Sequence, residues 1–216
     1  MLIRYFYIFL LISSYTTHVF ASPSSELGNL LTSIKTIQAS FTQTIYDNRN
    51  KPAQRSFGKM AMKRPDQFRW EVIKPIPQLI ISNQSRLWIY DPDLEQVTIR
   101  SLKQTIGEAP SMLLNYNNAA LDKEYVVTVL QKKSSTLHWF ALTPKNPDNV
   151  FVAVQLGFAN NIINQMRLQD HLGNTTFIQF ENIKANTSLP VTLFVFKVPA
   201  GIDVIDETNE HSQTKR

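Results

Sequence analysis

The sequence contains no cysteine. That excludes a disulfide framework, a cysteine-type zinc site and a mature N-terminus carrying a lipid-modified cysteine. The core alone has to hold the fold, which is feasible at 216 residues. Long apolar runs are missing as well. Tyr5 to Ile12 is about eight strongly apolar residues, far below the ~20 that span a bilayer as a helix. Charge is modest: 18% of residues are charged, the formal net charge is +5, and the basic residues are scattered. Such a balance suits passing encounters with an anionic membrane surface and falls short of a nucleic-acid footprint. There is no Gly-x-x-x-x-Gly-Lys-Ser/Thr loop, no Gly-x-Ser-x-Gly elbow and no His-Glu-x-x-His motif. ATP use and the hydrolytic chemistries of those motifs are therefore not expected.

What is present is apolar and β-rich. Hydrophobic residues make up 43% of the chain and aromatics 11%, with five methionines. Arg4, the apolar run Tyr5 to Ile12 and the closing Val19-Phe20-Ala21 read as a secretory signal peptide over 1–21. Its removal takes Arg4 away and leaves a net +4. The mature protein is then exported, with the periplasm as the expected compartment. One domain is expected over 22–206, followed by a polar, disordered tail over 207–216.

Ser22-Pro23-Ser24-Ser25 is a helix-entry signal. Leu27, Leu30, Leu31, Ile34 and Ile37 follow at helical spacing, so a helix is expected from about Ser24 to Thr36. After Gln38 the period falls to two. Short strands are expected at Phe41 to Tyr46, Ser56 to Lys63, Gln67 to Val72, Leu79 to Ser82, Arg86 to Tyr90 and Gln96 to Arg100. The turn at Asn83-Gln84-Ser85 lacks a glycine, which leaves its type open. Pro110 followed by Ser111-Met112-Leu113-Leu114 reads as a short helix with proline in its first turn. Strands resume at Tyr125 to Leu130, Leu137 to Thr143, Val150 to Phe158, Ile162 to Asp170 and Thr175 to Glu181, with a last one at Leu193 to Val198. About eleven short strands close into a barrel or a strongly curved sheet, against which each helix buries its stripe.

A barrel of that size can hold a ligand. Phe68, Trp70 and Val72 share one parity on their strand, as do Met60 and Met62. Leu87 and Ile89 oppose Trp88 and Tyr90, and the pattern does not decide which pair points inward. Methionines suit a wall that must fit chains of varying shape. Taken alone, the same residues fit a plain packed core better than a ligand cavity. Of the histidines, His18 falls in the leader, His138 in a strand, His171 in a turn and His211 in the tail. The Asp170-His171 pair reads as turn chemistry, so no enzyme is expected.

Several segments carry a family resemblance. They are Lys63-Arg64-Pro65, Gln67-Phe68-Arg69-Trp70-Glu71, Pro75-Ile76-Pro77-Gln78-Leu79-Ile80-Ile81 and Leu87-Trp88-Ile89-Tyr90-Asp91-Pro92. To these are added Gln38 to Gln43, Ala109 to Leu114, Phe140 to Lys145, Asp170 to Thr176 and Phe194 to Val204. Their order and spacing resemble the outer-membrane lipoprotein carrier family, LolA, over nearly the whole mature chain. The resemblance implies a mainly β (α+β) fold: an incomplete antiparallel β-barrel of about 11 strands, with a lid of short α-helices over an apolar cavity. It implies a periplasmic carrier that takes acylated lipoproteins from an inner-membrane ABC transporter (LolCDE) and hands them to an outer-membrane receptor (LolB). Such a carrier works as a monomer with no cofactor and no metal. Arg64 falls on the arginine that locks the lid of the empty carrier. Met60, Met62, Phe68, Trp70, Leu79, Ile81 and Trp88 are the expected acyl-binding wall, Phe68 near the cavity mouth. Leu30, Leu31, Ile34, Met112, Leu113 and Leu114 are the expected lid.

Two other readings use the same fold. A periplasmic lipid- or lipoprotein-sensing regulatory module, similar to the anti-sigma-factor binding protein RseB, would need an extra domain for which the length leaves little room. A carrier of a different amphiphile, such as a glycolipid, would share the apolar interior.

Overall fold

In the computed structural model, residues 22–83, 85–101, 114, 118–131 and 135–208 are described. The expected leader, the Met112-Leu113 pair, Gln84 and the end of the tail lie outside them.

The helix α1 spans Pro23–Ser33. Ser22 caps it by accepting a hydrogen bond from the Ser25 backbone N–H at 3.2 Å, and Pro23 occupies the first turn. It stops three residues before the expected end. The Thr32 and Ser33 hydroxyls donate back to Gly28 O and Leu30 O, and Ile34 is already extended. Serine and threonine near a helix end compete for backbone in this way.

Twelve strands follow: β1 Thr36–Tyr46, β2 Pro52–Lys63, β3 Gln67–Lys74, β4 Gln78–Asn83, β5 Arg86–Asp91, β6 Gln96–Ser101, β7 Tyr125–Leu130, β8 His138–Pro144, β9 Phe151–Ala159, β10 Ile162–Asp170, β11 Thr175–Ala185 and β12 Asp203–Asp206. A second helix, α2, spans Asn118–Glu124; the strand-like reading of the chain did not anticipate it. All twelve strands form one sheet in the order β12-β6-β5-β4-β3-β2-β1-β11-β10-β9-β8-β7. Two meanders are thus joined at their middle by β1 and β11, with Phe41 opposite Phe180. The ends β12 and β7 do not pair, so the barrel is open.

The last expected strand, Leu193 to Val198, is absent from the sheet. Val191–Phe194 form a 3-10 turn instead. The true final strand is β12, which lies parallel to β6 with Val204 beside Val97. Alternating Leu193, Val195 and Lys197 against Phe194, Phe196 and Val198 looked like a strand because this segment lies flat on the sheet. Phe194 is buried with Ala61 and Leu189, and the Phe196 ring sits 5.7 Å from that of Tyr90.

The sheet therefore has two covered faces along β2 to β6. The inner face carries Ile37, Ala39, Phe41, Met60, Met62, Phe68, Trp70, Ile80 and Leu87, which cluster with Leu27 and Leu31 of α1. Burying Leu27, Leu31 and Ile34 stabilises the docked helix by about 5–9 kcal/mol, at ~1.5–3 kcal/mol for each side chain. Gly58 on β2 lets the Phe41 ring lie directly on the sheet. A Cβ there would come within 2.4 Å of the Phe41 ring and 2.1 Å of the Glu71 carbonyl oxygen. Gly58→Ala is expected to destabilise the protein by ~2 kcal/mol or more through overpacking, read as a lower urea midpoint with an unchanged slope.

Candidate functional site

The site is built where α1 crosses the inner face. Trp70 of β3 is its centre. Its ring stacks on Phe41 at 3.8 Å and 16°, lies 6.4 Å from Phe68, and meets the edge of Phe180 at 6.4 Å and 88°. Met60 and Met62 pair across the strand with Trp70 and Phe68. These four expected wall residues do share one surface, and all are buried. That surface is packed by the protein's own side chains, with α1 seated on it.

Leu79, Ile81 and Trp88 do not belong to it. The register pairs Trp70 with Ile80 and Ile80 with Ile89, whereas Leu79 pairs with Tyr90 and Ile81 with Trp88. Paired residues share a face, so these three sit on the outer face. The inner wall is continued instead by Ile80, Leu87 and Ile89. Strand β4 misled because both of its faces are covered, which erases the alternation of apolar and polar residues.

Of the expected lid, Leu31 and Ile34 are buried and Leu30 is partly buried against the same cluster. Leu114 is buried with them. Arg64, in the turn between β2 and β3, ties the end of α1 to Leu114. Its Nε donates to Ile34 O at 3.0 Å and its Nη2 to Leu31 O at 2.9 Å. The same nitrogen donates to Leu114 O in a short contact. Leu31 O lies in the last turn of α1, where it also accepts the Ile34 N–H at 3.3 Å, and Ile34 O is the carbonyl of the C-cap residue, at the end of the helix where carbonyls run out of intrahelical partners. Burial lowers the Arg64 guanidinium from its ordinary value, and the Asp66 carboxylate partly restores it. It stays fully charged at any physiological pH.

Two further ties escaped sequence reasoning. Asn186, just after β11, accepts from the Lys35 N–H at 2.7 Å and donates to Ser33 O at 3.2 Å. At the other end of α1, His138 Nε2 and Glu26 Oε1 are 2.9 Å apart. The parity of His138 with buried Phe140 and Leu142 was the available signal.

A groove of about 310 Å3 opens on the outer face, lined by Gln38, Ser40, Lys59, Arg69, Lys184 and Leu193 among others. Charged Lys59, Arg69, Glu71 and Lys184 line it beside apolar Ala61 and Leu193. His171 contacts the Asn149 carbonyl at 2.7 Å. Asp170 accepts from the Leu172 and Asn174 N–H groups and from the Asn174 side chain. Asp170 is thus spent on the β10–β11 turn, while His171 ties that turn to the segment before β9. Among the described residues no group of three His, Cys, Asp or Glu could hold a metal ion.

An open sheet with an oily inner face, covered by a helix held through side-chain ties, defines an incomplete β-barrel with a helical cover. Comparison with known proteins gives that class its family. Residues 32–197 match the outer membrane lipoprotein carrier protein LolA family. The chain is 37% identical over 187 residues to the outer-membrane lipoprotein carrier protein of Dechloromonas aromatica, covering 87% of this chain and 89% of that one. It is 40% identical over 182 residues to its namesake in Azotobacter vinelandii, covering 84% and 87%. The chain belongs to the LolA family of outer-membrane lipoprotein carriers, which are not enzymes. Among solved structures, an uncharacterized conserved protein of Thermus thermophilus superposes with a TM-score of 0.55 at 11% identity, over 84% of this chain and 97% of that one. MucB superposes with a TM-score of 0.53 at 12% identity, over 86% and 66%. These two share the fold alone.

Proposed function

We propose that this chain shelters lipoprotein acyl chains on the inner face around Trp70, after α1 lifts away, and releases them to an outer-membrane receptor of the LolB kind. Arg64 carries the reading: one guanidinium ties both lid pieces through backbone carbonyls over an aromatic wall. Met60, Met62, Phe68, Trp70, Ile80, Leu87 and Ile89 form the acyl-contacting wall, and Leu30, Leu31, Ile34 and Leu114 the underside of the lid. Met112 and Leu113, also expected in the lid, lie outside the described residues.

The energetics fit an exchange of one apolar partner for another. Lifting α1 exposes its stripe, which costs about 5–9 kcal/mol. Acyl chain burial contributes about 0.8 kcal/mol per methylene, so ~10 buried methylenes offset it. One long chain is enough to hold the lid open, and several prevent escape into water. Loading needs an external energy source, which the inner-membrane ABC transporter (LolCDE) supplies. Export by the leader over 1–21 places the carrier in the periplasm, where it works as a monomer.

Depletion in the host tests this. Lipoproteins should accumulate at the inner membrane, and re-expression should clear them. Normal lipoprotein sorting during depletion, with a response to envelope stress lost instead, would favour the sensing module.

A further inference from the structure

Helix α1 is tied to the sheet in an unequal way at its two ends. The C-terminal end is held by several contacts. Arg64 donates to Leu31 O and Ile34 O. Asn186 brackets the exit through Lys35 N and Ser33 O. The Asn186 N–H donates to Thr36 O at 2.7 Å, and the Thr36 hydroxyl donates to Thr187 O at 2.6 Å. The N-terminal turn is different. Its serines bond within the turn itself. Among the described residues, the polar contact from that turn to the sheet is Glu26 to His138, at 2.9 Å. Both side chains are 45% exposed.

His138 is well placed for such a contact. It opens β8, on the half of the sheet farthest from Arg64, and faces Phe158 across the ladder. Its ring stands edge-on to the buried Phe140 ring at 4.6 Å and 83°. The imidazole is therefore braced from below while its Nε2 reaches the carboxylate above. Arg64 and His138 thus anchor opposite ends of α1 to the two opposite meanders of the sheet.

We propose that Glu26 and His138 form the latch at the moving end of α1, that Asn186 holds the hinge at the other end, and that the Arg64 bonds to Leu31 O and Leu114 O give way as the helix turns. The lid opens by parting Glu26 from His138 first and turning about Ser33–Lys35. A half-exposed pair suits a latch, since water replaces its partners as it parts and its strength stays small. The order of opening rests on the geometry of α1. What enters beneath it rests on the carrier reading.

Amide hydrogen exchange on the full mature chain tests the latch with no lipid present, because exchange reports local opening. Glu26→Ala and His138→Ala should each speed exchange at Leu27, Leu30 and Leu31 about two- to fivefold, the range of a half-exposed polar pair. Lys35 and Asn186 should keep their wild-type rates. The double variant should match either single one, as for coupled partners. Unchanged rates at Leu27 to Leu31, or a Glu26→Ala effect that persists undiminished in His138→Ala, would overturn the latch. Faster exchange at Lys35 as well would overturn the hinge. A second readout separates this from the carrier reading. Uptake of dansyl-labelled undecanoic acid should quicken by the same factor in both variants. Wild-type protein that takes up no probe, with exchange behaving as expected, would sink the carrier reading and leave the latch standing.

Discussion

Arg64→Leu should load lipoprotein normally and fail to release it. Leucine fills part of the space of the guanidinium but donates nothing to Leu31 O, Ile34 O or Leu114 O. Hydrogen bonds from a charged donor are each worth about 1.5–3 kcal/mol. The closed, empty state should lose ~3 kcal/mol or more, while the loaded state, in which the lid is already lifted, loses little. That gap corresponds to roughly a hundredfold in the equilibrium between them. Transfer from purified carrier to receptor should fall by about that factor, with loading within twofold of wild type. Transfer at the wild-type rate would remove Arg64 from the release step. Arg64→Lys should rescue only part, since an ammonium lacks the planar fork that reaches both the α1 carbonyls and Leu114 O.

Trp70→Ala is expected to have the larger effect on stability. Trp70 is buried at the meeting point of Phe41, Phe68 and Phe180. Truncating a buried tryptophan costs about 3–5 kcal/mol. For a mature chain of this size, that lowers the melting temperature by ~10 °C or so. Binding of a fluorescent acyl probe should weaken at least tenfold, because the platform on which the chain lies is gone. Trp88→Ala offers the contrast. Trp88 faces the other way, toward Ile81 and Ile99, so probe affinity should stay within twofold. Equal losses in both variants would place the acyl site elsewhere.

The contrast between Trp70 and Trp88 shows how far local pattern reaches. The β3 strand alternates Phe68, Trp70 and Val72 against Arg69 and Glu71, and its inward face is legible at once. Period-two alternation survives where one face is wet. Along β4, Leu79-Ile80-Ile81 is continuously apolar, because α1 side chains and the C-terminal segment cover opposite faces of the same sheet. The segment that causes this, with Phe194 packed on Ala61, is over a hundred residues away in sequence. The same segment imitated a strand, since a chain lying flat on a sheet also buries alternate residues. Asn186 was illegible for a similar reason. Its value lies in meeting Lys35 and Ser33, some 150 residues earlier.

Short-range chemistry was enough for most strands of the two meanders and for the capped start of α1, because turn residues, caps and side-chain period act over a few residues. The resemblance added Arg64 and the carrier role. Which apolar face became the lined interior, where the barrel stays open, and which end of the lid is tethered more lightly were left to long-range packing. Each depends on which distant segment covers a given strand, and no local pattern records its partner.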